Sequence, residues 1–247
     1  MRLLMLDIET APHKVYAWGL YDQRIALNQI VEPGYTLCYA AKWHGSREMI
    51  FDSVQHSKPL AMLKGVHRLL DEADAVCHYN GERFDIPTLE GEFAIHGLNP
   101  PSPIKHIDLL KTCRRRFKFA SNKLDYVAQR FGLGKKTAHK GMPLWHACMQ
   151  GDAAAWRIME RYNRQDVRLL EKLHDELRPW IKNYPNAGVF DGRQCCPKCG
   201  HTRVQSRGSY VTRDRKYAQF QCRGCFSWLY LVSGKLQEGV QGYRVAA

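Results

Sequence analysis

The 247-residue sequence predicts an α/β protein: a mixed central sheet flanked by helices, with a small β unit appended at the C-terminus. Three observations carry that expectation. Apolar residues alternating with a period of two are gathered in the first third of the chain. Helical spacing interleaves with them and then takes over. Five of the nine cysteines crowd beyond residue 194. Hydrophobic content of 45% and charged content of 25% suit one ordinary globular core with a minor appendage.

The first strand is Leu3–Glu9, in which the period of two puts Leu3, Met5, Asp7 and Glu9 on one face. Strands are expected at Tyr35–Trp43 and Glu48–Val54, separated by a His-Gly-Ser turn. Ser57 and Pro59 open a helix carrying Leu60, Leu63, Val66, Leu69 and Leu70. Ala75–Tyr79 reads as a buried strand, and Pro87 sits in the first turn of a helix that stops at Gly97. A loop over Pro100–Pro103 precedes helices at Ile107–Phe117, Lys123–Phe131 and Pro143–Met149. A longer helical region, Asp152–Arg178, ends at Pro179. Residues 1–182 are thus expected as one domain, 183–193 as a turn-rich linker, and 194–247 as a separate unit.

A formal net charge of +13 suits a nucleic acid, an anionic membrane or an acidic partner. No apolar run approaches the ~18 residues of a membrane span, so no membrane association is expected. Asp7 and Glu9 interrupt the N-terminal apolar stretch too early for a signal peptide. Four cysteines scattered singly through the body, with the rest at metal-type spacing, point to a reducing cytoplasm.

Four acids in apolar frames carry the functional reading: Asp7 and Glu9 in LDIET, Asp85 in NGERFD, and Asp166 in YNRQD. Asp166 stands inside the stripe Ala155, Met159, Tyr162, Leu169, Leu170, Leu173 and Leu177, with Tyr162 one turn earlier on the same face. Each acid alone has a structural alternative. Asp166 could pair with a buried arginine, and Asp85 could cap the helix that Pro87 opens. Together, four carboxylates can hold two Mg²⁺ or Mn²⁺ ions, hard cations that prefer oxygen. Two such ions suit in-line phosphoryl displacement. Neither a Ser-His-Asp arrangement nor a Walker-type glycine loop competes.

LDIET, then Asn80-x3-Phe84-Asp85, then Tyr162-x3-Asp166 resemble, in type and order, the three exonuclease motifs of the DEDD superfamily. The tyrosine resembles that of the proofreading domains of family B DNA polymerases. The resemblance covers roughly residues 1–180. It implies a ribonuclease-H-like fold and 3′→5′ hydrolysis of single-stranded DNA or frayed DNA 3′ ends to nucleoside monophosphates. It further implies that Asp7, Glu9, Asp85 and Asp166 are metal ligands and that Tyr162 belongs to the catalytic set. Tyr162, a phenol of pKa ~10, would orient the attacking water by hydrogen bonding and not act as general base. Asn80 and Phe84 match positions that line the path of the terminal nucleotides, though Phe84 could be plain core. Thr10 could meet the 3′-terminal nucleotide through its amide, or be a polar strand end. Hydrolysis at such a site excludes neither RNA nor, if catalysis is lost, a nucleic-acid-binding adaptor on the same scaffold.

Lys111–Lys140 holds ten Lys/Arg against one acid, Asp125. Its Arg114-Arg115-Arg116 run, followed by Phe117 and Phe119, mixes charge with aromatics as strand-binding surfaces do, although a solvated helical face is the plainer alternative. In the C-terminal unit, Cys196-x2-Cys199 and Cys222-x2-Cys225 form two knuckles resembling a zinc ribbon. Four ligands leave no open position, so one structural Zn²⁺ is expected; disulfide pairing is the alternative. Cys195 is out of register. Phe226, Trp228, Tyr230 and Val232 should share one strand face, and Leu229 and Leu231 the other. Nine basic and two acidic residues from Gln194 onward favour nucleic-acid contact through Arg203, Arg207, Arg213, Arg215, Lys216 and Arg223. Docking of a replication or repair protein is the other expectation for this unit.

Overall fold

The computed structural model describes the backbone of residues 1–237 and 240–245, and side chains through residue 231 apart from that of Asp191. A five-stranded sheet forms the centre, built from β1 (Leu3–Thr10), β4 (Thr36–Trp43), β5 (Ile50–Ser53), β6 (Ala75–His78) and β7 (Lys105–Asp108). Its order is β5-β4-β1-β6-β7; β1 runs antiparallel to β4 and parallel to β6, and β7 extends the parallel half. A short hairpin, β2 (Lys14–Val15) with β3 (Ile30–Glu32), is set between β1 and β4.

The alternation in β1 sorts the helices into two layers. Leu4, Leu6 and Ile8 face α1 (Pro59–Asp71) and α2 (Asp85–Ile95), burying Met62, Leu63, Val66, Leu89 and Phe93. Leu3 and Met5 face α3 (Leu109–Arg116), α4 (Leu124–Arg130) and α6 (Ala153–Leu177), through Cys113, Val127, Val167, Leu170 and Leu173. Helix α5 (Met142–Met149) packs on the first half of α6. Pro59 starts α1 and the Asp152 side chain caps α6 through the amides of Ala154 and Ala155, as those residue types favour.

Most expected elements are present, with shifted ends. The exception is Ile107–Phe117: Lys105–Asp108 is the edge strand β7, and the helix begins only at Leu109, where the Asp108 side chain caps it. Four residues that are half charged carry too little alternation to declare a strand; pairing with β6 decides it. In the stretch expected as linker, Tyr184 is buried, its hydroxyl 2.9 Å from His174 Nε2, and Ala187–Asp191 forms the short helix α7.

Beyond it, β8 (Val204–Val211), β9 (Lys216–Cys222), β10 (Trp228–Gln237) and β11 (Val240–Val245) make an antiparallel sheet in the order β11-β10-β9-β8. Leu229 packs against Cys196, Cys222, Val204 and Phe220, opposite the face of Trp228 and Tyr230. Val232, assigned to that second face by the alternation, has a side chain outside the described residues. Among the described residues no helix is long and apolar enough to cross a membrane.

Candidate metal-dependent active site

Asp7 and Glu9 leave the apolar face of β1 at its C-terminal end, where α6 crosses the sheet. Asn163 on α6 donates from Nδ2 to Asp7 Oδ2 at 2.6 Å, fixing that carboxylate. One turn on, Asp166 turns the same way, and oxygens of Asp7, Glu9 and Asp166 gather within 4.8 Å of one another. Asp166 Oδ2 accepts from Lys136 Nζ at 2.5 Å, so the residue is ion-paired, though to a part-exposed lysine and not to the buried arginine weighed above. It uses only one oxygen: among the described residues Asp166 Oδ1 is buried without a hydrogen-bond partner. A buried carboxylate oxygen left unpaired is costly unless a cation takes it.

The turn before α2 brings Asp85 in from the other side. Asn80 adopts φ 71° while its N–H donates to Asp108 Oδ1, and the Gly81 N–H donates to His78 Nδ1 at 3.1 Å. A Cβ on Gly81 would lie 2.4 Å from His78 Cγ, so only glycine lets the chain pass the buried ring. Asp85 is the first residue of α2, but its side chain does not cap the helix. Its Oδ1 accepts from the Ile8 N–H at 3.1 Å, locking it beside Asp7 on β1.

Electrostatics record the crowding. Burial, then Asp166, pushes Glu9 up to about 8. Burial alone dominates at Asp85, raised to about 7 against hydrogen bonds from backbone amides. Asp7 is driven well above the carboxylate range by burial and by Asp166, Asp85 and Glu9; Asp166 is raised by burial and held back by Lys136. Lys136 is itself pulled down by burial, but Asp166, Tyr162 and Asp7 outweigh this and raise it, so it stays charged. Burial, Asp166 and Glu9 raise the Tyr162 phenol, which stays protonated.

Tyr162, His139 and Trp145 form an aromatic wall, with ring centroids 4.7 Å apart for His139–Tyr162 and 5.1 Å for His139–Trp145. A cleft of about 720 Å³ opens here, lined by Asp7, Tyr79, Arg114, Lys123, Lys136 and Tyr162 among others. Of the other residues singled out above, Thr10 ends β1 at an irregularity in its pairing with β4. Asn80 shapes the turn, and Phe84 is 46% exposed, not core. Arg114 lines the cleft, whereas Arg115 and Arg116 line a separate groove with Lys105 and Lys182. Lys136, Asn163, His139 and Trp145 also belong to the site, although nothing in the sequence motifs singles them out. Asn163 could have been found, since it lies three residues before Asp166 on the same helical face; Lys136 comes from a loop and gave no signal beyond charge.

A profile of the RNase H superfamily matches residues 4–178. The chain belongs to the RNase H superfamily. No curated protein matches the sequence. Among solved structures, a family B DNA polymerase from the hyperthermophilic archaeon Pyrobaculum calidifontis matches with a TM-score of 0.53 at 20% identity. The match covers 72% of this chain but 24% of that polymerase. At that identity the likeness shows the fold. Superfamily membership and the acidic cluster together support a nuclease.

At the other end, Sγ atoms of Cys196 and Cys225 lie 3.6 Å apart, and those of Cys199 and Cys222 3.5 Å. Thiolates ~2.3 Å from a tetrahedral zinc would be ~3.8 Å apart, whereas a disulfide needs ~2.05 Å. The quartet therefore fits a zinc ribbon, and Cys195 lies outside it. Buried Lys198 in the first knuckle donates to the Pro179 carbonyl, and the Ala187 N–H donates to the Pro197 carbonyl at 2.7 Å, tying the ribbon to the turn after α6 and to the start of α7. A third close group, His44, His174 and Asp175, offers little to a metal, because Arg178 Nη2 already donates to Asp175 Oδ1 at 2.6 Å.

Proposed function

We propose that the chain is a two-metal-ion-dependent 3′→5′ exonuclease that hydrolyses single-stranded DNA or frayed DNA 3′ ends. The observation that carries this reading is the convergence of Asp7, Glu9 and Asp166 within 4.8 Å, with one buried Asp166 oxygen unpartnered. That donor set, all carboxylate oxygen, suits Mg²⁺ or Mn²⁺. Polarity and the preference for DNA rest on the resemblance of the three motifs to proofreading exonucleases.

Asp7, Glu9, Asp85 and Asp166 would hold the ions. When bound, the pair would stabilise the attacking and leaving oxygens of the phosphodiester. Tyr162 keeps its proton, its hydroxyl accepts from Lys136 Nζ at 3.2 Å, and it would orient the attacking water by hydrogen bonding. Lys136 favours the charged form of Asp166 against burial and would offer its positive charge to the phosphate being cut. Arg114 and Lys123, on the cleft wall, suit the phosphates of the incoming strand.

The test is a time course on 5′-labelled single-stranded DNA with Mg²⁺, with Mn²⁺ or with neither, beside a matched RNA. A ladder shortening from the 3′ end only when metal is added is the expected result. Label released at once as mononucleotide would reverse the polarity. Faster loss of the RNA would make the enzyme an exoribonuclease. No turnover with either metal would leave a binding scaffold.

A further inference from the structure

The C-terminal sheet has two unlike faces. Alternation sends Ala218, Phe220 and Cys222 of β9 and Leu229 of β10 to the zinc side, where Phe220, Cys222 and Leu229 pack around the knuckles. The opposite face carries Tyr217, Gln219 and Gln221 of β9, and Trp228 and Tyr230 of β10. The register pairs Tyr230 with Gln219, Trp228 with Gln221, Tyr217 with Tyr210 of β8, and Gln221 with Gln205. Three tyrosine rings meet there. The Tyr210 and Tyr230 centroids lie 5.2 Å apart with planes at 28°, and Tyr217 and Tyr230 lie 5.0 Å apart. Each ring is half-buried and Trp228 is 44% exposed, so this face is not needed to close the zinc core.

Cations bracket the rings. Arg213, Arg215 and Lys216 form the β8–β9 hairpin beside Tyr210 and Tyr217. Arg203 and Arg223 flank the other end, where Arg223 Nη1 donates to Gln205 Oε1 at 3.0 Å. The only acid from Arg203 to Leu231 is Asp214. Half-buried tyrosine rings beside an exposed Trp228, amides able to meet base edges and a positive border match a strand whose bases are unpaired and whose backbone is anionic. A duplex would present phosphates to the cations but no base face to the rings.

We propose that the Tyr210–Tyr217–Tyr230 face binds single-stranded nucleic acid by base stacking, as a site separate from the acidic cluster. From Tyr217 to Gln221 β9 spans ~13 Å, room for about four stacked bases at ~3.4 Å each. Hydrolysis at Asp7 and its neighbours plays no part in this binding, so the site stands or falls separately from the exonuclease reading.

The test uses the full-length zinc-loaded chain with Mg²⁺ and Mn²⁺ omitted, and the fluorescence anisotropy of a labelled 20-mer of dT. Replacing all three tyrosines by leucine keeps apolar bulk and removes stacking; affinity should fall more than about tenfold, while three Tyr→Phe changes hold it within about twofold. Tyr230→Leu alone, with zinc content unchanged, should give a smaller loss and guards against misfolding of the triple variant. Arg213→Gln, Arg215→Gln and Lys216→Gln together should flatten the slope of log affinity against log salt by about 2. Wild-type affinity in a zinc-replete Tyr→Leu variant would overturn the proposal. So would equal losses from leucine and phenylalanine, or equal competition by a duplex of the same length. A chain that binds through these rings yet cuts nothing would remove the exonuclease reading and leave this one standing.

Discussion

Glu9→Gln should stabilise the protein while disabling it. In the absence of Mg²⁺ and Mn²⁺, burial and Asp166 hold the Glu9 carboxyl at about 8, against 4.5 for an unperturbed glutamate. The folded state therefore clings to a proton that the unfolded chain releases above pH 4.5. Stability from this group is complete below pH 4.5 and is lost progressively as pH rises toward 8. At pH 7 the gap of about 2.5 pH units above the unfolded value corresponds to roughly 3 kcal/mol, an upper figure because the neighbouring acids titrate together. Glutamine carries no such penalty. The variant should melt higher than wild type by roughly 6–12 °C at pH 7 and by almost nothing at pH 4. Adding Mn²⁺ should reverse the ranking, because wild type gains RT ln(1 + [Mn²⁺]/Kd) and the variant has lost a ligand. Thermal melts at the two pH values, with and without Mn²⁺ and with zinc retained, make the measurement. A variant that melts no higher than wild type at pH 7 without metal would refute the claim that Glu9 belongs to a crowded, cation-starved cluster.

The other expectations are read in single assays. Asp7→Ala and Asp166→Ala should each nearly abolish nuclease turnover, while Tyr162→Phe should lose only about fivefold, the worth of one hydrogen bond of ~1 kcal/mol; equal, total loss in all three would contradict an orienting role for the phenol. Activity should fall steeply with salt, and Arg114→Gln should flatten that dependence while Arg115→Gln leaves it alone, since only Arg114 lines the cleft. Cys222→Ser should remove zinc and expose residues beyond 194 to limited proteolysis while residues 1–182 resist, because a unit this small relies on its metal for folding free energy. Lys136→Met should make the metal-free protein less stable at pH 8 than at pH 5 by a wider margin than wild type, for Asp166 then has no cation beside it.

The main sheet was legible because β1 and β4 carry long apolar runs and β6 is uniformly buried, signals that survive without tertiary context. Strand β7 was not, since Lys105-His106-Ile107-Asp108 becomes a strand only through the partner it finds. The hairpin of β2 and β3 hides for a related reason: Tyr16, Trp18, Leu20 and Tyr21 look like core residues in sequence and are all strongly exposed. The carboxylates could be picked out because acids inside apolar stripes are conspicuous. Lys136 is the reverse case, one of ten Lys/Arg in a basic stretch, distinguished only by the loop that folds it onto α6. The split of Arg114 from Arg115 and Arg116 follows from helix geometry, since consecutive residues point ~100° apart and three in a row cannot share one face.

The arrangement of the acids also bears on why they are present. A fold seeking stability would not gather Asp7, Glu9 and Asp166 within 4.8 Å of one another, with Asp85 near enough to raise Asp7 and Glu9 and burial raising all four. The chain spends its compensating groups sparingly: Asn163 on Asp7, the Ile8 amide on Asp85, and Lys136 on a single oxygen of Asp166. Among the described residues Lys136 is the one cation ion-paired to these four acids, and Asp166 Oδ1 is buried without a hydrogen-bond partner. Lys136 is also reached from the cleft, with about a third of its side chain exposed, so a phosphate can share its charge without unburying the acids. Those features fit the proposed binding of cations next to an anionic substrate, and none of them serves packing.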